Sequence, residues 1–337
     1  MNDINCPNCK SRKVIRKGKR KTKYNLKQVF YCKDCKKHFV DKKMHNKTYP
    51  AKVIINSINY YNLGYTLSES SSLVNRRFKI KTSKSSIQRW VSEYSDICSF
   101  QKIRKQVISE YKQDEIIFIK IFKHRGLQFV FKYHRAKLKE YAMVFPGLIR
   151  YIKSFEKGCP NEVFEGGLRC SQICLNVDIK KSCKKNQACQ LCRLALLSAK
   201  DNKKRHSILE EFMLINDNAT VACEVPVWFW DKKRDIGISG HIDLLQIRSG
   251  KIYVMDFKPG KKNENEQKVA SQLYLYARAL NYRTRIPLKN FICAWFDENG
   301  YYEFSPSEIK TKKKRNIENS SIFYISSIIL HKANVFK

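Results

Sequence analysis

The chain has 337 residues, enough for two or three domains and at least one sizeable core. Lys and Arg number 67 against 30 acidic residues, a formal net charge of +37. Such a surplus implies a polyanionic partner, most simply nucleic acid, although charge alone does not separate DNA from RNA or an anionic membrane surface. No run of about 18 apolar residues is present to span a bilayer, and the polar N-terminus carrying a Cys pair does not read as a signal peptide. The expectation is a soluble, cytoplasmic protein without a membrane partner. Its 13 Cys are then better metal ligands and buried thiols than disulfides.

Residues 1–47 are short and very basic, with 16 Lys/Arg against Asp3, Asp34 and Asp41. Cys6-Pro7-Asn8-Cys9 and Cys32-Lys33-Asp34-Cys35 are two Cys-x-x-Cys knuckles separated by 22 residues. Each offers two thiolates from one tight turn, and four such ligands suit tetrahedral zinc. A segment this small cannot build its own core, so bound metal would supply much of its folding energy. Val14-Ile15 and Val29-Phe30-Tyr31 predict the strands of a ribbon. The segment resembles zinc ribbons that precede the DNA-binding helices of some transposases, including an aromatic pair, His38-Phe39, after the second knuckle.

From residue 48 the pattern turns helical. Val53, Ile54, Ile58 and Tyr61 recur at helical spacing, and Gly64 is a stop signal. Thr66 or Ser68 is expected to cap a second helix to about Asn75, and Ser83 or Ser85 a third. The third buries Ile87, Trp90, Val91 and Tyr94 and turns Lys84, Gln88 and Arg89 outward, side chains suited to phosphates and base edges. Gly64-Tyr65-Thr66-Leu67-Ser68 followed by Ser86-Ile87-Gln88-Arg89-Trp90 is similar to the helix-turn-helix of transposases and resolvases.

Residues 100–198 read as a connector. β-like runs Ile116–Phe122 and Gln128–Tyr133 flank Arg125-Gly126, and a helix-like stretch covers Ala136–Phe155. Cys170, Cys174, Cys183, Cys189 and Cys192 fall within 23 residues. Four of them, with Cys174, Cys183, Cys189 and Cys192 favoured, are candidates to hold zinc or an iron–sulfur cluster.

Beyond residue 200 the order is helix, strand, strand, strand, helix, strand. Cutting a phosphodiester needs charge stabilisation at the phosphate and a nucleophilic water; bound Mg²⁺ or Mn²⁺ does both, and carboxylates are its natural ligands. Asp243 ends the apolar-flanked run Ile238–Leu245, and Asp256 follows the turn Arg248-Ser249-Gly250-Lys251 and the strand Ile252–Met255. A hairpin of this length can bring both carboxylates to one end of a sheet. Lys258, two residues after Asp256, shares its strand face, where it can hold the attacking water or the scissile phosphate. His206 lies on a helix with Leu209 and Met213 at i+3 and i+7, which turn its imidazole inward as a further ligand more tolerant of Mn²⁺. Gln272 and Tyr276 are one helical turn apart beside the apolar stripe Val269, Leu273, Leu280.

This ordered set resembles the RecB-like branch of the PD-(D/E)XK nuclease superfamily, which includes CRISPR-associated nucleases, over about residues 200–305. Gly240–Asp243, Asp256–Lys258 and Gln272–Tyr276 stand where that family has Gly-x-x-Asp, Asp-x-Lys and Gln-x-x-x-Tyr motifs. His206 with the following Leu209-Glu210, and the strand Glu224-Val225-Pro226, also correspond. The resemblance implies that His206, Asp243, Asp256 and Lys258 form the catalytic site, that Gln272 and Tyr276 support it or contact substrate, and that Glu224 is an auxiliary ligand. Some relatives bind a 4Fe–4S cluster through one Cys before the core and three after it; here Cys293 is the only Cys after Lys258, so the cluster does not carry over.

The expectation is a multidomain α+β protein. Residues 1–47 are a zinc ribbon, 48–99 a helix-turn-helix, 100–198 a connector with a Cys cluster, 199–309 a restriction-endonuclease-like core with a central mixed sheet flanked by helices, and 310–337 a tail. The predicted activity is Mg²⁺- or Mn²⁺-dependent DNA hydrolysis, with DNA, and proteins of repair, defence or mobile elements, as partners. The alternative is a non-catalytic DNA-binding regulator or accessory factor of a mobile element. A transposase is less well supported, because no acidic triad of RNase H-like pattern precedes Cys170.

Overall fold

The computed structural model describes residues 4–24, 26–40, 47–175, 177–178, 182–183, 186–199, 201–231, 235–259 and 265–311. Of the tail expected over 310–337, residues 312–337 lie outside the described residues. In chain order the elements begin with β1 (Val14–Lys21), β2 (Leu26–Cys32), β3 (His38–Val40), α1 (Ala51–Asn62), α2 (Leu67–Phe78), α3 (Lys84–Glu93) and α4 (Arg104–Glu110). Next come β4 (Ile117–His124), β5 (Leu127–His134), α5 (Arg135–Glu140), α6 (Pro146–Ser154), α7 (Asn161–Gly166), β6 (Leu168–Arg169), β7 (Val177–Asp178), β8 (Ser182–Cys183) and α8 (Gln187–Leu196). The remainder are α9 (Arg205–Asn216), β9 (Thr220–Asp231), β10 (Ile236–Arg248), β11 (Lys251–Phe257), α10 (Glu266–Thr284), β12 (Phe291–Phe296), β13 (Tyr301–Phe304) and β14 (Lys310–Thr311). Among the described residues no helix is long and apolar enough to cross a membrane. The contacts divide the chain into two units, residues 1–113 with 193–216, and 114–192 with 217–337.

The first unit opens with the antiparallel sheet β1-β2-β3. The helices α1, α2 and α3 follow and pack on one another. Thr66 caps α2 in a reciprocal box with Glu69, and Lys79 closes it in the left-handed conformation. Ser83 caps α3, whose Ile87, Trp90 and Val91 are buried. Arg104 of α4 stacks on the Tyr61 ring at 3.9 Å and donates to the carbonyls of Tyr61 and Tyr65, satisfying the exposed end of α1. α9 joins this unit by packing on α1. There the buried Asn216 accepts from Asn62 at 2.7 Å and donates to Asn59 at 2.6 Å, so polar groups at the helix contact satisfy each other.

The second unit is built on a sheet of order β4-β5-β9-β10-β11-β12-β13-β8, with β6 added beside β10. It is a mixed sheet: β11 and β12 run parallel, joined through α10, while their other neighbours along this order are antiparallel. α10 packs on β9 and β12, and α6 packs on α10. Because the central strands are covered, β9 and β10 are buried along most of their length and read as near-continuous apolar runs. The hairpin β4–β5 turns on Arg125 and Gly126, both at positive φ as a two-residue hairpin turn requires, and β5 pairs with β9 through Lys132–Cys223 and Tyr133–Ala222. Residues 117–134 are therefore strands of this sheet, within the stretch read from sequence as a connector.

The helix expected over Ala136–Phe155 is two helices. Pro146 stands at the first turn of α6, where its missing N–H is harmless, but it cannot continue α5, which ends at Glu140. A stack of four rings then ties the hairpin to β10: Phe129 on His241 at 3.6 Å, His241 on His124 at 4.8 Å, and His124 on Phe164 of α7 at 3.8 Å. The two imidazoles share one hydrogen bond, Nδ1 of His124 to Nε2 of His241 at 2.7 Å. Burial holds both neutral, lowering His124 to about 4 and His241 to about 2.

Lys137 of α5 is fully buried, and its ammonium donates to the carbonyls of Asp217 and, at 3.2 Å, Thr220, at the entry to β9. Burial lowers its pKa to about 7 against the partial opposition of Asp217, Cys223 and Glu140. Between pH 7 and about 10 the unfolded chain therefore holds a proton that the folded chain has released, so stability rises with pH across that window. Urea titrations of wild type and Lys137→Met at pH 7, 8 and 9 are expected to show this rise only in wild type. Equal slopes in the two proteins would refute the assignment.

Candidate active site and metal centres

The hairpin β10–β11 forms because Ser249 and Gly250 both take positive φ, giving a two-residue turn matched to strand twist. Its register runs from Arg248–Lys251 to Leu244–Met255, so Asp243 and Asp256 stand opposite each other one step beyond the last pair. On the other side, Glu224 of β9 is level with Asp243, between the pairs Val225–Ile242 and Cys223–Leu244. Three carboxylates thus stand in a row across three adjacent strands. Glu224 is half-buried and has φ +50° in mid-strand, a strained backbone of the kind that gathers at functional sites.

The row is anchored by the sheet itself. Oδ2 of Asp243 accepts the Phe257 amide at 2.9 Å, and the Lys258 amide donates to the Phe296 carbonyl at 3.0 Å. Asp256 is buried, and Nζ of Lys258 lies 2.7 Å from its Oδ2. Burial first, and the nearby Asp243 charge second, push the Asp256 carboxyl up to about 7, while Lys258 pulls it down. When both acids are ionised, two carboxylates with one ammonium leave uncompensated negative charge beside the buried Asp256. An oxygen-ligated divalent cation would relieve it, so this donor set fits Mg²⁺ or Mn²⁺.

α10 crosses the same end of the sheet. Nε2 of Gln272 donates to the Tyr276 hydroxyl at 2.7 Å, and the Tyr276 ring lies against Gly240. A Cβ at residue 240 would sit 2.3 Å from a ring carbon of Tyr276, which explains the glycine three residues before Asp243. Burial, then the Cys170, Asp256 and Asp243 charges, keep the Tyr276 hydroxyl protonated. Asp243, Asp256, Lys258, Gln272 and Tyr276 are thus brought to one end of the sheet.

His206 is half-buried in the first turn of α9, and Glu210, one turn later, is buried. The imidazole and this carboxylate offer ligand atoms within 4.8 Å of one another. Sequence reading treated Glu210 only as part of the Leu-Glu following His206; the i, i+4 spacing of His and Glu on one helix face was the available signal.

In the first unit the four Sγ atoms of Cys6, Cys9, Cys32 and Cys35 lie within 4.8 Å of one another. Cys6–Cys35 and Cys9–Cys32 are each 3.5 Å apart, near the edge of about 3.8 Å in a tetrahedral zinc–thiolate site. Both knuckles close alike, with Lys10 and Lys36 left-handed and donating to the carbonyls of Cys6 and Cys32. The group fits zinc. The second Cys cluster is different: Cys170, Cys189 and Cys192 are buried and Cys174 is exposed. Among the described residues these cysteines do not gather into a three-ligand group, and the Cys183 side chain lies outside them. Lys84, Gln88 and Arg89 are exposed on α3.

Residues 178–310 match the family model of the PD-(D/E)XK nuclease superfamily. They form a domain of that superfamily. The match spans β9, β10, β11, α10 and β12, and with them the carboxylate row, Lys258 and the Gln272–Tyr276 pair. Proteins with this domain are usually nucleases. No curated protein and no solved structure matches the chain.

Gly240→Ala is expected to destabilise the PD-(D/E)XK domain by about 1–3 kcal/mol through overpacking against Tyr276. Combining it with Tyr276→Ala should cost less than the two single changes added together, read by urea unfolding. Strict additivity would show that the contact is not the cause. For the Cys group, elemental analysis should find one zinc per chain in wild type and none bound at the ribbon in Cys32→Ser, with a lower Tm for the variant.

Proposed function

We propose that the protein is a metal-dependent nuclease that hydrolyses DNA phosphodiester bonds, brought to DNA by its basic zinc ribbon and helix-turn-helix. The observation that carries this reading is the buried Asp256 carboxyl facing Asp243 with the Lys258 ammonium 2.7 Å away, inside a domain of the PD-(D/E)XK superfamily. When bound, Mg²⁺ or Mn²⁺ supplies charge stabilisation at the phosphate and a water of lowered pKa.

The roles of the side chains follow from their chemistry. Asp243 and Asp256 would hold the cation, and the motif order of the RecB-like branch implies His206 as a further ligand. Glu224 is an auxiliary ligand. Lys258, paired with Asp256, donates to the attacking water or to a non-bridging phosphate oxygen, where negative charge grows in the transition state. The Gln272–Tyr276 hydrogen bond holds the tyrosine against Gly240, so the supporting helix cannot slide along β10. Recruitment draws on the four-thiolate ribbon, the exposed Lys84, Gln88 and Arg89 of α3, and the +37 charge of the chain.

Incubation with linear, circular and single-stranded DNA in Mn²⁺ tests the proposal. Cleavage should be lost on adding EDTA and fall about 10³-fold or more in Asp256→Ala and in Lys258→Ala, several kcal/mol of transition-state stabilisation. Cleavage undiminished in Asp256→Ala would sink the catalytic assignment. DNA binding without metal-dependent cleavage of any of the three substrates would favour a non-catalytic regulator.

A further inference from the structure

The tip of the β1–β2 hairpin meets the start of α3. Tyr24, three residues past β1, stacks on Tyr49 with ring centroids 4.9 Å apart, and Tyr49 sets its edge on Trp90 of α3 at 5.1 Å. The hydroxyls of Tyr24 and Tyr49 both donate to the Lys81 carbonyl, at 3.3 and 2.8 Å, just ahead of the Ser83 cap. At the far end of α3, Glu93 pairs with Lys47, and the Lys47 carbonyl accepts from Lys27 of β2 at 3.2 Å. The ribbon is therefore held at the start, middle and end of one helix. This is attachment, not tethering through a linker.

Charge says what the attachment serves. Residues 12–24 contain eight Lys/Arg and no acid. From Ile15 to Lys21 every residue of β1 is exposed, and among the described residues β1 is an edge strand paired only with β2. Its register shifts between Arg16 and Lys19 around Gly18 at φ +88°, a bulge that disrupts a long flat edge and discourages strand addition. A bulged edge lined with ammonium and guanidinium groups fits a polyanion better than another strand. The end of α3 beside the hairpin is its N-terminal end, which in a recognition helix approaches base edges.

We propose that β1 and α3 form one duplex-DNA-binding surface, held in fixed relation by the Tyr24–Tyr49–Trp90 stack. This deepens the recruitment part of the proposed function and rests on it. Strand and helix engage phosphates of the same duplex together, without the ordering cost that two tethered modules would carry. Tyr24 and Tyr49 are positioning residues.

Fluorescence anisotropy of the full chain with a labelled 30-base-pair duplex, over a salt series, tests this. Asp256→Ala is present throughout to prevent cleavage. Lys19→Ala with Arg20→Ala is expected to weaken binding and lower the log–log salt slope by about 2, and Arg89→Ala to lower it by about 1. Tyr24→Ala removes no charge, yet should weaken binding by about tenfold or more with zinc content unchanged. Tyr24→Phe, which keeps the stacked ring, should retain most of the affinity. Hydroxyl-radical footprints provide a readout that does not depend on the Tyr24 variants folding: protection lost in the β1 double variant should border that lost in Arg89→Ala. Parent-like affinity in a zinc-loaded Tyr24→Ala, or footprint losses on separate tracts, overturns the composite surface. If the β1 and α3 charge variants both bind like the parent, recruitment by this unit falls as well. The catalytic reading is judged apart from this, by Mn²⁺-dependent cleavage with Asp256 intact.

Discussion

A carboxylate buried beside a second carboxylate is the constraint around which the second unit is arranged. Asp256 has left water, faces Asp243 across the β10–β11 ladder, and is raised to about 7 by those two causes together. Such a pair would separate if its strands were free to slide. They are not: β11 is pinned on one side by the hairpin register with β10 and on the other by parallel pairing with β12 through Asp256–Trp295 and Phe257–Phe296. Repulsion that cannot be relaxed by moving the backbone is answered by protonation, as the raised Asp256 carboxyl shows, or by counter-charge. Lys258 provides one positive charge, and the remaining imbalance favours a divalent cation. The Asp243 interaction with the Phe257 amide follows the same logic, since a hydrogen bond to the ionised form stabilises it.

What was legible in the sequence was what is encoded within a few residues. The knuckles, the Ser249-Gly250 turn and the Thr66 and Ser83 caps each act locally, and the carboxylate spacing followed from one hairpin, whereas the break at Pro146 inside Ala136–Phe155 was a local signal passed over. The β-like character of 117–134 was readable too, but its place in the sheet was not. That place depends on Lys132–Cys223 and Tyr133–Ala222 pairs across some ninety residues of chain, for which no local signal exists. The packing of α9 on α1 was hidden for a similar reason, because Asn59, Asn62 and Asn216 read as surface residues until each is seen to satisfy the others in a buried contact. His241 was passed over beside the more conspicuous Asp243, although its ring carries the stack that joins β10 to β5, β4 and α7.

The ring stack bears on the site because His241 and Asp243 share one strand, two residues apart. Phe129, His241, His124 and Phe164 come from four elements, and aromatic pairs in such contact add stabilisation beyond their buried area. Two neutral imidazoles in such a stack satisfy one polar atom each without introducing charge near the carboxylates. The hairpin β4–β5 thus braces β10 from the side opposite β11. The Gly240–Tyr276 contact braces it again from α10.

Charge then divides the work in the proposed reaction. Asp243, Asp256 and Lys258 sum to −1 when both acids are ionised, so without a cation the site would repel a phosphodiester. A chain with +37 overall nevertheless attracts one. Affinity for the polyanion and chemistry upon it must accordingly come from different residues, since a lysine-rich active site would compete with the metal for the same carboxylates. One ammonium, Lys258, is compatible with both demands: held at 2.7 Å from Asp256, it offsets the buried acid while keeping donors for a phosphate oxygen or water. The density of basic residues in β1, far along the chain from the carboxylate row, is what this division requires. The cationic surplus can then grow without displacing a cation from the carboxylates.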